Sequence, residues 1–156
     1  MAKMGKFRAD DLKKFQKQLQ NIQQNDISDF VESCAKELAA RLLGKVIKRT
    51  PVGDYPGSSG KKGGTLRRGW TSGKKNAKAS EYADSLPVRN ENGVITVEII
   101  NPVEYASYVE YGHRTSNHKG WVSGRFMLTI SESEIQDIAP KVLEARIKKL
   151  LERCMK

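Results

Sequence analysis

The sequence predicts an α+β fold: a small antiparallel sheet, with N-terminal helices and a long C-terminal helix packed on it, in a single domain spanning residues 1–156. Three observations carry this expectation. Apolar residues recur at helical spacing near both ends of the chain. Between Val94 and Ile100 they alternate with polar ones, as in a half-buried strand. Asn90-Glu-Asn-Gly93 stands just before that strand and has the composition of a hairpin turn.

Taken in order, Lys6 to Gln20 reads as an amphipathic helix, with Phe7, Leu12, Phe15 and Leu19 on one face. Asn25 and Asp26 are candidate caps for a second helix running to about Arg49. Its apolar face is expected to be Ile27, Phe30, Val31, Cys34, Leu38, Leu42 and Val46. Thr50-Pro51 ends it, because a residue before proline avoids helical geometry. Leu66, Arg68 and Trp70 alternate with Arg67, Gly69 and Thr71, a weak strand signal in which Trp70 would anchor the sheet. Ser85–Arg89 reads as an edge strand, given Pro87. In Val94–Ile100, Ile95, Val97 and Ile99 share one face. Asn101 and Pro102 then read as the start of a short helix through Tyr111, closed by Gly112. Tyr105, Tyr108 and Val109 share one face of it, the two tyrosines expected to pack between helix and sheet with their hydroxyls at an edge. Arg114–Gly124 reads as a polar loop. From Phe126 the helical period returns to the C-terminus, and Pro140 is expected to divide or kink it.

The 156 residues suffice for one hydrophobic core. Only 38% are hydrophobic, 29% are charged, and no run of 18 apolar residues exists, so a bilayer-spanning helix is excluded. The basic N-terminus lacks the apolar stretch of a secretory signal. Cys34 and Cys154 form no Cys-x-x-Cys pair and read as two buried thiols in a reducing compartment.

The net charge of +10 is concentrated. Ten basic residues lie between Lys45 and Lys78, opposed by Asp54 alone, together with seven of the 13 glycines. Such a segment is expected to form a mobile, self-repelling loop suited to acidic surfaces or phosphates. A nucleic-acid-binding module using this stripe, with Tyr55 and Trp70 to stack bases, is one functional reading.

Catalytic signals are weak. Gly60-Lys61 and Gly73-Lys74 both lack the first glycine and the Ser/Thr of a phosphate loop. No Gly-x-Ser-x-Gly elbow occurs. His113 and His118 have no evident third ligand for a metal, and His113 is placed to hydrogen-bond the end of the preceding helix. Glu110 with His113 is the one conceivable hydrolytic pair. Glu110 is more simply expected to pair with Arg114, four residues on.

Three blocks read together: Arg49-Thr-Pro-Val52 leading to Gly64-Thr-Leu-Arg-Arg-Gly-Trp70; Tyr105-Ala-Ser-Tyr-Val-Glu-Tyr-Gly-His-Arg114; and Gly120-Trp-Val-Ser-Gly-Arg-Phe-Met-Leu128. In these the chain resembles the small tail-component family of tailed bacteriophages and prophages typified by a protein of phage Hong Kong 97. The first block departs from the compact family form, since Gly53–Gly63 replaces a short Asp-Thr-Gly turn. The resemblance implies a structural protein of the virion neck or tail, without catalysis, cofactor or membrane. It also implies a ring oligomer, sixfold to match the tail, meeting neighbouring neck or tail proteins close to the DNA passage. The contact residues expected on this reading are Lys61, Lys62, Arg67, Arg68, Glu110, Tyr111, His113 and Arg114.

Overall fold

The computed structural model describes residues 9–20, 24–74 and 76–154. Helix α1 covers Ala9–Gln20 and α2 covers Gln24–Arg49. Short helices α3 (Thr65–Gly69) and α4 (Ala79–Ser85) follow, and then a hairpin of β1 (Val88–Glu91) and β2 (Val94–Val97). Helix α5 (Ala106–Tyr111) leads into a second hairpin, β3 (Gly112–Arg114) and β4 (Trp121–Ser123). Helix α6 (Met127–Cys154) closes the chain. The fold is α+β with antiparallel strands, and the strands form two separate two-stranded sheets.

Helix α2 organises the molecule, with α4, α6 and the β1–β2 hairpin all packed against it. Its inward face is Cys34, Ala39, Leu43 and Val46, all buried. This corrects the expected stripe: Leu38 and Leu42 are only half-buried, and Ile27 and Val31 are exposed. Where leucines stand side by side, periodicity leaves the facing row open, and the neighbours decide it. Asn25 and Asp26 lie inside the first turn of α2 rather than before it. Of the α1 face, Phe7 and the side chains of Leu12 and Phe15 fall outside the described residues, and Leu19 is exposed.

The core joins Ala39, Leu43 and Val46 to Leu66, Trp70, Ala83 and Met127. Leu66–Thr71 is therefore no strand. Leu66 and Trp70 are one helical turn apart in and just after α3, and both face α2. Six residues of alternating character fit either period, and packing against a helix selected the tighter one. Trp70 is 3% exposed, and its indole N–H donates to Thr50 Oγ1 at 2.8 Å. The Thr50 hydroxyl passes the bond on to the Val46 carbonyl at 2.6 Å, so the end of α2 and the core tryptophan are fixed together. Arg67 closes the same corner, its Nε and Nη2 donating to the Thr50 carbonyl at 3.1 and 2.7 Å. Gly69 is small for steric reasons: a Cβ there would stand 2.1 Å from Asn101 Oδ1.

In the first hairpin Asn92 and Gly93 both take positive φ, the backbone of a tight primed turn, and Gly93 N–H donates to Asn90 Oδ1. The β1 strand starts three residues later than expected, because Ser85 still belongs to α4. Ile95, Val97 and Ile99 share the inward side, as the alternation predicts. Asn101 does not cap α5, which begins at Ala106. Its amide instead donates to the Leu66 carbonyl, and its Oδ1 accepts from Val103 N–H.

Helix α6 is one continuous helix of 28 residues with Pro140 inside it, rather than two. At about 1.5 Å per residue it is about 42 Å long. Pro140 is on the exposed side, where water can satisfy the carbonyl that its missing N–H leaves open. Of the cysteines, Cys34 is buried and Cys154 only half-buried, and neither is in a disulfide.

Two ion-pair clusters join α2 to α6. Glu134 accepts from Lys45 at 2.6 Å and from Arg49 at 2.7 Å, and Arg49 also donates to Ser131. Nearer the other end, Glu37 accepts from Arg41 and from Arg146, while Arg146 also reaches Ser33. Hydrogen bonds from Arg41 and then Arg146 hold the Glu37 carboxyl below its usual range; those from Lys45 and then Arg49 do the same for Glu134. A carboxylate with a lowered folded pKa contributes stability above its unfolded value, about 4.3, and loses it as pH falls through the folded value. We therefore expect thermal melting temperature to fall below about pH 4. The double variant Glu37→Gln with Glu134→Gln should be less stable at neutral pH and show a flatter acid limb. An unchanged acid limb would mean that these pairs are screened into irrelevance.

Candidate protein-interaction site

The eight expected contact residues separate into two regions. Lys61 and Lys62 are exposed on the Gly53–Gly64 loop, whose only regular structure is a single 3-10 turn at Gly57–Ser59. Arg67 and Arg68 are half-buried and bonded within the fold: Arg67 to the Thr50 carbonyl, Arg68 to the Gly63 carbonyl at 3.3 Å. With Lys45 and Arg49 paired to Glu134, the ten basic residues between Lys45 and Lys78 do not act as one stripe. Trp70, proposed above as a base-stacking residue, is in the core.

The second region is built by α5, β3 and β4. Glu110 does not pair with Arg114. It is 5% exposed, and its two carboxylate oxygens accept from Leu128 N–H (2.9 Å), Thr129 N–H (2.9 Å) and Thr129 Oγ1 (2.7 Å). Those are the amides a capping side chain satisfies at a helix N-terminus, where a negative group also meets the helix dipole favourably. The residue before α6 is Phe126, which cannot cap it, so Glu110 supplies the cap from 16 residues upstream. Both of its oxygens are occupied, and His113 Nδ1 lies at the Tyr108 carbonyl, 3.5 Å away. The two do not form a hydrolytic pair.

The stretch read as a polar loop, Arg114–Gly124, instead belongs to the β3–β4 hairpin. The register pairs Gly112 with Ser123, His113 with Val122 and Arg114 with Trp121. Its tip is tied internally: Thr115 N–H donates to the Gly120 carbonyl, Gly120 N–H to Thr115 Oγ1, and Lys119 N–H to Asn117 Oδ1. Gly112 has φ +86°, and a Cβ there would meet the Val122 carbonyl at 2.4 Å and the Trp121 indole at 2.9 Å. The glycine thus permits both the turn out of α5 and the seating of Trp121 over the strand. Its ψ of 172° makes it a strand entry, not the left-handed cap expected from sequence.

Opposite residues of a pair share a side. Arg114 and Trp121 therefore stand together on one side of the hairpin, and His113 and Val122 on the other. There the His113 ring meets Tyr108 edge-on at 5.9 Å. Tyr105 and Tyr108 are 45% and 59% exposed, so these two tyrosines do not pack between helix and sheet; Tyr111 and Trp121 are exposed as well. Phe126, at the root of the hairpin, is also exposed and has φ +47°, a conformation uncommon for a bulky side chain. It is held there by its N–H on the Glu110 carbonyl, beside Arg125 N–H on the Val109 carbonyl. Tyr105 shares a hollow with Tyr55 and Lys62, which links the hairpin region to the basic loop. Sequence reading singled out Tyr111, His113 and Arg114 here and missed Trp121, Phe126 and Arg125 as exposed side chains.

Among the described residues, no group of three His, Cys, Asp or Glu side chains is gathered as a metal would require, and no helix is long and apolar enough to cross a membrane. A family model described as "Bacteriophage HK97-gp10, putative tail-component" matches residues 13–112. No curated protein and no solved structure matches the chain.

Proposed function

Because the chain belongs to the HK97 gp10-like family of bacteriophage tail components, a structural family rather than an enzymatic one, we propose that it is a virion assembly protein acting at the head–tail junction or in tail completion. It assembles in the bacterial host cytoplasm and stays in the neck or tail as a single-domain subunit of a ring, sixfold to match the tail. The family match over residues 13–112 carries this reading. One feature of the fold supports it. Both small sheets have open edges through which neighbouring subunits can pair. A heterologous contact repeated around an axis closes such subunits into a ring. The reading is tested by deleting the coding sequence from the phage or prophage that carries it and imaging the particles. Unjoined heads and tails, or tails of faulty length, are expected; normal infectious particles would overturn it.

The basic loop serves docking within that assembly. A positive, flexible segment against an acidic neighbour speeds and orients association, whereas the same charge in a lumen would hold DNA by its phosphates. Lys61→Glu with Lys62→Glu should change stability by no more than about 0.5 kcal/mol, as exposed substitutions usually do. The same variant should leave heads and tails unjoined. Normal particles that eject DNA abnormally would place the loop in the lumen instead.

A further inference from the structure

We propose that the α5–β3–β4 unit is a preorganised docking blade whose exposed aromatic and cationic side chains receive an acidic segment of a different virion protein. This rests on the tail-component reading and names the chemistry of the partner. Tyr108, Tyr111, Trp121 and Phe126 are all exposed around one short hairpin, with Val122 and Ile130 exposed beside them. Aromatic residues and arginine dominate the energetics of protein interfaces. The backbone that carries them is held: the hairpin tip is tied through Thr115 and Asn117, its root through Glu110 and Val109. A loop backbone ordered before binding loses less freedom when a partner arrives.

Charge selects the partner. Between Tyr105 and Ile130 the only acidic residue is Glu110, which is buried on the α6 amides. Arg114, Lys119 and Arg125 in the same stretch are exposed. The blade thus presents cations with no exposed acid among them, and its complement is acidic. The same face of a second copy fits poorly, since Arg114, Lys119 and Arg125 would meet their own like charges. Nucleic acid fits poorly as well, because its recognition leans on phosphate contacts, and exposed apolar side chains here outnumber the three cations.

The test places a photo-crosslinking amino acid at Trp121 or at Tyr111 of the full chain, in cells assembling particles, and identifies crosslinked peptides from purified particles by mass spectrometry. The expected product is a peptide of another virion protein with net negative charge. Crosslinks only to copies of this chain, or only to DNA, overturn the proposal and leave the tail-component reading standing. Absence of the chain from particles overturns both. A second arm uses Phe126→Gly, which relieves the positive φ, and Trp121→Ala with Tyr111→Ala. Infectious titre should fall at least tenfold with melting temperature unchanged or raised for Phe126→Gly. Unchanged titre in both variants overturns the proposal.

Discussion

Trp70→Ala is expected to destabilise the folded chain by about 3–5 kcal/mol, the usual cost of truncating a buried tryptophan. The side chain sits among Leu43, Val46, Leu66, Ala83 and Met127, which come from α2, α3, α4 and α6. Its loss opens a cavity in the cluster to which all four helices contribute. It also removes the indole donor from Thr50, at the corner where α2 ends and the basic loop begins. Trp70→Phe keeps much of the volume and should cost less. Urea denaturation followed by far-ultraviolet circular dichroism measures both. A loss below about 1 kcal/mol for the alanine variant would mean that the core is centred elsewhere.

Glu110→Ala is expected to cost about 1–2 kcal/mol, the upper range for a lost helix cap, because the part-buried amides it leaves behind are only partly open to water. Leu128 and Thr129 would lose the acceptor for their amides, and α6 has no local substitute, since Phe126 precedes it. Glu110→Gln retains one acceptor oxygen but turns an amide donor toward other donors, so an intermediate loss is expected. Hydrogen exchange gives the specific readout: Leu128 and Thr129 amides should lose protection before the middle of α6 does. Wild-type protection at those two amides in Glu110→Ala would contradict the capping role.

How much of this could be read from the sequence depended on the length of each signal. Helices α2 and α6 carry many turns of apolar periodicity, and β2 has a clean alternation behind an Asn-Gly turn. Their placement followed. Helix α3 has five residues, too few to separate a period of two from one of 3.6. The β3–β4 hairpin was hidden because its strands are three residues each and its tip is held by Thr115 and Asn117 side chains rather than by an apolar pattern. Glu110 was misread toward Arg114 because sequence proximity favours i,i+4 partners, while its actual partners lie 18 and 19 residues away. A signal did exist: a long helix whose preceding residue is phenylalanine lacks a cap of its own and must find one elsewhere. Of the candidate contact residues, exposure separates Lys61, Lys62, Tyr111 and Arg114 from Arg67, Arg68 and Glu110, which the fold itself uses.

We propose that this chain stays in the virion, at the head–tail junction or in the completed tail. Electron cryomicroscopy of particles from the phage or prophage that carries it tests this most directly. A ring of density is expected at the junction or in the tail, into which the paired α2 and α6 helices fit, with the β3–β4 hairpin turned toward a neighbouring protein. Particles that join head to tail with no density for this chain would contradict it.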